Sequence, residues 1–430
     1  MKNYFQKIFV KFFASIALLA GGLASNLACN MAFATRISIN EYPFQIGYLS
    51  TLSSAMVKPE SNSPFMRLRR IRHLTQVPGK SETLRYAFWP QKKAAPLAFI
   101  LAGLGGGHEA PTSLNVGRAL HAAGFAVVSV PSSLHWNFYR SAATSALPGY
   151  VPQDANDTYL VLNKINDHLR KEFPKSFQKS ILLGSSLGAL HSLFIAHKDL
   201  NQSKALFNGF ISLNPPVNVI YALAQIDKMN KIPLQWPAAL REEKITQWMA
   251  IAVNLLGAGK PDPALIAQLP VDAQAHLIGF SFKETLNGLI WMTQEQQDLG
   301  VIKSSGDNRE REARMEEIGQ RFSFLSYLGQ IALPYFARLR SNAELPLTPE
   351  RLNLEMSLHA VRSTLSLSDR VRVFHSSDDP LINDAMLNFL ESTMGNRAVV
   401  FNHGGHTGAY WYPPVLSKIV ESALELSKIE

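Results

Sequence analysis

Residues 180–190 read Ser-Ile-Leu-Leu-Gly-Ser-Ser-Leu-Gly-Ala-Leu. Ile181-Leu182-Leu183 is an apolar run of strand length, Gly184-Ser185-Ser186-Leu187-Gly188 is a Gly-x-Ser-x-Gly turn, and Ala189 to Ala196 continue as an apolar helical face. The pentapeptide alone carries little weight, and a glycine-serine turn without chemistry is its bland reading. Its setting between strand and helix gives it meaning. A serine on so tight a turn takes a strained backbone conformation, and only very small residues two positions before and after it let strand and helix approach.

Working outward, short apolar runs alternate with helix-length amphipathic stretches. The runs are Leu97 to Ala102, Ala126 to Val130, Ser180 to Gly184 and Phe210 to Leu213, with helices expected at about 111–123, 154–172 and 187–198. Strands apolar throughout belong to a parallel sheet covered on both faces, since neither side meets water. The series resumes with Val371 to His375, a helix from about Leu381 to Met394, Ala398 to Phe401 and a closing helix from about Pro413 to Leu426. Ahead of it, Arg67 to Leu74 and Glu82 to Trp89, joined by Pro78-Gly79-Lys80, predict an antiparallel hairpin. The expected class is α/β, a mostly parallel, doubly wound sheet. Between Pro215 and Arg370 the chain is far longer than a parallel crossover requires. Ile245 to Leu256, Ala273 to Leu299 and Phe322 to Arg340 have apolar residues at helical spacing, and Lys303 to Asn308 is a flexible break. A helical cap inserted between two late strands follows. The expected organisation is an extension packed on the surface over 35–66, a sheet core over 67–216 and 368–430, and the cap over 217–367.

The chain has 430 residues, 47% hydrophobic and 17% charged. That is long enough for one large core with an insertion, and too apolar for wholesale disorder. Its one cysteine, Cys29, excludes an internal disulfide framework. Lys2, Lys7 and Lys11 precede the apolar stretch Phe12 to Ala24, and Ala32-Phe33-Ala34 offers small residues for cleavage. Residues 1–34 therefore read as a secretory signal peptide, implying export to a periplasm or the extracellular space. The alternatives are an uncleaved membrane anchor and lipid attachment at Cys29. Cleavage after Ala34 removes those three lysines and no acid, lowering the formal charge of +9 by three. Arg67, Arg69, Arg70 and Arg72 fit a solvated strand face better than a phosphate-binding stripe, so no nucleic-acid partner is expected; weak peripheral contact with anionic lipid is the alternative use of the charge.

A serine nucleophile requires a base, and the base an orienting acid. After the last apolar strand comes Asn402-His403-Gly404-Gly405-His406-Thr407-Gly408, and after the preceding one His375-Ser376-Ser377-Asp378-Asp379-Pro380-Leu381-Ile382. With these residues the chain resembles the α/β-hydrolase superfamily, which includes serine esterases and lipases, over about 80–216 and 368–428. The resemblance implies His406, the end of a Gly-Gly-His, as base, leaving His403 as a loop histidine with local hydrogen bonds. It implies Asp379 as acid, with Asp378 the alternative, a solvated turn or helix-capping carboxylate. It also implies an oxyanion hole from the backbone N–H groups of Leu104 and Leu187. Leu104 lies in Ala102-Gly103-Leu104-Gly105-Gly106-Gly107-His108, where Ala102 stands in place of the family's histidine. Neither a phosphate-cradling loop nor a zinc site matches the spacing, so no cofactor and no metal are expected.

The expected function is an exported hydrolase of carboxylic esters acting through Ser186, His406 and Asp379, on a small-molecule or lipid ester. A cap rich in apolar residues favours a hydrophobic acyl part. Trp236, Trp248, Phe280, Phe282, Trp291, Phe324 and Tyr335 are candidates to line that pocket, although aromatic residues at helical spacing more often hold helices together. The same triad serves a peptidase, thioesterase or acyltransferase, and a noncatalytic binding protein with this fold is the reading from another class.

Overall fold

A computed structural model describes residues 33–74, 80, 82–257, 268–296, 308–340 and 346–429. The expected signal segment up to Ala32, including Cys29, the turn at Pro78-Gly79 and the break at 303–307 lie outside them. Nine strands form one sheet: β1 (Thr35–Ile37), β2 (Arg70–Leu74), β3 (Leu84–Trp89), β4 (Ala95–Leu101), β5 (Ala126–Val130), β6 (Phe177–Ser185), β7 (Gly209–Leu213), β8 (Val371–Ser376) and β9 (Ala398–Phe401). Their order is β1-β9-β8-β7-β6-β4-β5-β3-β2. Among the described residues, β2 with β3 and β3 with β5 pair antiparallel and the other ladders of the sheet are parallel.

The apolar runs are continuous because successive side chains enter two different cores. From β4, Leu97, Phe99 and Leu101 pack with Leu162 and Ile165 of α3 (Val151–Glu172) and Leu190 and Leu193 of α4 (Leu187–Leu200). The residues between them, Ala98 and Ile100, pack on the opposite face with Leu114 and Leu120 of α2 (Pro111–Ala122) and Val415 and Ile419 of the closing helix Pro413–Leu426. Each large aliphatic side chain so buried contributes roughly 1.5–3 kcal/mol, so both faces must stay covered. This is a doubly wound, mostly parallel sheet, the class expected from the apolar runs.

From β4 the chain goes to β5 on one side and then crosses to β6 on the other. Loops after the carboxyl ends of β4 and β6 therefore lead to helices on opposite faces, and the crevice between them is where ligands bind in open α/β sheets.

The insertion between β7 and β8 is helical, and Phe33 onward forms one compact unit that includes it. It contains α5 (Val219–Asn230), α6 (Ala238–Gly257), α7 (Val271–Gln296) and α8 (Asn308–Arg321). The expected helix over Phe322 to Arg340 is interrupted by a π-helical stretch, Leu328–Ala332, which apolar spacing does not reveal.

The start of the described chain differs from expectation. Residues 35–37 lie at the surface, as expected, but within the sheet. They form β1, paired parallel with β9 in the register Thr35↔Val399, and Arg36 binds Glu391 through two hydrogen bonds of 2.8 and 2.9 Å. Three residues are too few to display alternation, and the pairing partner lies at the far end of the sequence. The segment continues into α1 (Gly47–Met56), while Arg67 and Leu68 belong to a short helix, Pro64–Leu68, rather than to the hairpin.

Candidate active site

Ser186 stands between the end of β6 and the start of α4 with φ 53° and ψ −119°, in the sparsely populated region where only a sharp turn holds a side-chain-bearing residue. The flanking glycines are there for space. A Cβ on Gly184 would lie 2.1 Å from the Gly188 carbonyl oxygen, and one on Gly188 would lie 2.6 Å from the carbonyl oxygens of Leu101 and Ala102. The elbow thus presses against the carboxyl end of β4, where the glycine loop begins. Ser186 Oγ is partly exposed at the crevice, and its backbone N–H donates to Leu213 O at 2.9 Å.

His406 Nε2 lies 2.7 Å from Ser186 Oγ, and His406 Nδ1 lies 2.8 Å from Asp379 Oδ2. The structure brings these three residues together and leaves Asp378 outside the chain. Asp378 Oδ1 accepts from the Gly405 N–H at 2.8 Å and so holds the histidine loop instead. Burial pushes the Asp378 carboxyl up. For Asp379, burial pushes the same way but is outweighed by charge attraction and hydrogen bonding from His406, by His375 and by the Leu381 N–H, which hold it at about 2. His403 Nδ1 has no hydrogen-bond partner among the described residues and stands 3.9 Å from Asp378 Oδ2.

Several residues that local motifs do not reveal complete the setting. Asn214, just past β7 with φ 48°, donates through Nδ2 to Asp379 Oδ2 at 2.7 Å and to Gly405 O at 3.2 Å. Tyr410 Oη donates to Asn214 Oδ1 and lies 3.2 Å from Phe374 O. His375, buried and with its pKa lowered by burial, accepts from the Ser376 N–H at 3.0 Å and reaches Pro215 O at 3.3 Å through Nε2. An asparagine directly after an apolar strand, before Pro215-Pro216, is the one sequence signal that marks any of them.

The amino-terminal segment is also part of the site's frame. Thr51 Oγ1 on α1 accepts from the His406 N–H at 2.8 Å and donates to Gly47 O at 2.6 Å. Gly405, with φ +51°, packs so close that a Cβ would lie 2.1 Å from Gly47 O. Tyr42, buried, donates to Gly408 O at 3.0 Å. Sequence reasoning missed this support because contacts to α1 join residues more than 300 positions apart.

Opposite the histidine, a Cβ at Gly103 would lie 3.2 Å from Ser186 Cβ, so the glycine loop abuts the serine. A Gly106 N–H to Gly103 O bond of 2.9 Å and a Ser132 N–H to Gly106 O bond of 2.9 Å fix its shape without a histidine at position 102. Among the described residues no backbone carbonyl accepts from Leu104, and Leu187 opens α4, where N–H groups lack intrahelical partners. Leu104 and Leu187 line one cavity with Val219, Leu223, Leu286 and Phe324 of the insertion. Of the aromatic candidates only Phe324 lines it, joined by Tyr327. Trp236 and Trp248 pack edge to face, 4.6 Å between centroids, and Tyr335 accepts from the Ala146 N–H. Among the described residues no three metal-ligating side chains converge. Arg69 and Arg72 are paired with Glu109 and Glu172.

No family model and no curated protein matches the chain. Among solved structures it is similar to an esterase from Pyrococcus furiosus, at 10% identity over 86% of this chain and 97% of that one, with a TM-score of 0.44. An esterase from Pyrobaculum calidifontis is similar at 16% identity over 89% and 90%, TM-score 0.40. A proline iminopeptidase from Mycobacterium smegmatis is similar at 12% identity over 83% and 99%, TM-score 0.40.

Proposed function

We propose that this chain is an exported serine hydrolase that cleaves carboxylic esters with a hydrophobic acyl part. The observation that carries the reading is the hydrogen-bonded series Ser186 Oγ, His406 Nε2, His406 Nδ1 and Asp379 Oδ2, with links of 2.7 and 2.8 Å. Ser186 Oγ attacks the ester carbonyl while His406 Nε2 takes its proton. Asp379, ionised and buried, keeps the remaining proton on Nδ1 and stabilises the imidazolium. The tetrahedral oxyanion is held by the N–H groups of Leu104 and Leu187. His406 then returns the proton to the departing alkoxide, leaving an acyl-Ser186. Water, deprotonated by His406, completes deacylation. The apolar cavity at Leu104 and Leu187 supports a hydrophobic acyl part. Lys2, Lys7 and Lys11 before the apolar stretch support export; among the described residues no helix is long and apolar enough to cross a membrane.

The test is hydrolysis of nitrophenyl esters by the parent and by Ser186→Ala. Loss of such a nucleophile costs about a millionfold in kcat. Equal rates for the two proteins would remove Ser186 from the chemistry. Thioester, amide and alcohol acceptors offered to the same enzyme separate esterase from thioesterase, peptidase and acyltransferase action.

A further inference from the structure

The cavity between core and insertion is small. Leu104 and Leu187, the two residues assigned to the oxyanion hole, line it together with Leu223, Leu286, Tyr327 and Asp154. Its volume is about 40 Å³. A single water needs roughly 10–15 Å³ on such a measure, and a cavity of roughly 150 Å³ takes a benzene ring. This one therefore has room for a few methylene groups and none for a ring.

The walls are tied down. Leu286 and Tyr327 are 1% and 3% exposed. Tyr327 Oη donates to Pro148 O at 2.9 Å, and Asp154 Oδ2 accepts from the Gly149 N–H at 2.7 Å. Asp227 carboxylate oxygens accept from the N–H groups of Phe324 and Leu325 at 2.9 and 3.0 Å, anchoring the turn that carries Tyr327. Asp154 is compatible with an apolar ligand because burial raises its pKa well above the ordinary value, favouring the uncharged form. A larger group must displace several side chains that are packed or hydrogen-bonded at once.

We infer that the site selects esters of short acyl groups of about two to four carbons, with Leu286 and Leu223 setting the limit. This rests on the serine-hydrolase reading and narrows its substrate class.

The experiment measures kcat/KM for nitrophenyl acetate, butyrate, octanoate and benzoate with the full chain. Butyrate or acetate should lead, with octanoate and benzoate at least about tenfold lower, since one misplaced methylene costs about 10- to 200-fold in a fitted pocket. Leu286→Ala should raise the octanoate-to-acetate ratio by about tenfold or more, and Leu223→Ala supplies the same readout if Leu286→Ala fails to fold. Octanoate cleaved by the parent as fast as butyrate, or a ratio unmoved in both variants, overturns the size limit while leaving the serine-hydrolase reading intact. Hydrolysis of none of the esters beyond the Ser186→Ala background overturns both.

Discussion

Replacing Thr51 by Val tests whether α1 serves the site or merely covers the sheet. The two side chains have similar shape, but the valine neither accepts from the His406 N–H nor donates to Gly47 O, bonds of 2.8 and 2.6 Å in the native protein. Both Thr51 and His406 are buried, at 6% and 3% exposure, so water does not replace the lost acceptor. A buried N–H left unsatisfied costs about 1–3 kcal/mol. The loop can relieve that cost only by moving, and His406 Nε2 moves with it, away from its 2.7 Å contact with Ser186 Oγ. A displacement approaching 1 Å costs up to about a hundredfold in rate. The expected result for Thr51→Val is a fall in kcat of about 10- to 100-fold with KM changed less than about twofold, and stability lower by about 1–3 kcal/mol in urea unfolding. Thr51→Ser retains the hydroxyl and should keep kcat within about threefold of the parent, which separates the hydrogen bond from general loosening. A Thr51→Val enzyme with kcat within about twofold of the parent would refute the argument that α1 positions the histidine.

Asn214→Ala removes a 2.7 Å donor to Asp379 Oδ2 and one of the ties on Gly405, so kcat should fall about tenfold with the fold intact by circular dichroism. Gly188→Ala drives a Cβ into the carbonyl oxygens of Leu101 and Ala102 and should cost at least about 1–3 kcal/mol together with activity, whereas Gly288→Ala, exposed on α7 with open space around it, should add up to about 1 kcal/mol. Both are read by denaturant midpoint. Asp154, whose pKa is raised by burial, contributes its stability below the unfolded carboxyl value of about 3.9 and loses it as pH rises through the folded value. Asp154→Asn should therefore gain stability over the parent as pH increases from about 4, with the difference vanishing in more acid solution. Asp379 has the opposite sign: held at about 2, it stabilises the fold above the unfolded value, and that contribution is lost as pH falls through about 2.

What was legible in the sequence follows from the range over which each feature is encoded. Strands β4, β5 and β6 are buried on both faces, so each announces itself as an uninterrupted apolar run, and the observed Ala126–Val130 coincides with the expected one. The Ser186 elbow and the turns bearing His406 and Asp379 are local steric solutions written in a few consecutive residues. The supporting groups are not local. Thr51 looks like any helix-interior threonine, and Tyr410 like any core tyrosine, until α1 and β8 are brought beside the histidine loop. Likewise β1 is defined by its partner, Val399 to Phe401, and not by its own three residues. Helix α8 carries the charged run Asn308 to Arg321, which lacks the apolar stripe that marks a helix by periodicity. Among the aromatic residues of the insertion, helical spacing does not say which one meets the cavity: Trp248 of α6 packs edge to face on Trp236, just before that helix, whereas Phe324 lines the cavity.

The central claim is that Ser186 is a nucleophile activated by His406. It is tested most directly by treating the folded protein with a fluorophosphonate and mapping the adduct by mass spectrometry. The account predicts one adduct, on Ser186, formed rapidly in the parent and at least about a thousandfold more slowly in His406→Ala. An adduct elsewhere, or equal labelling of Ser186 with and without the imidazole, would contradict it.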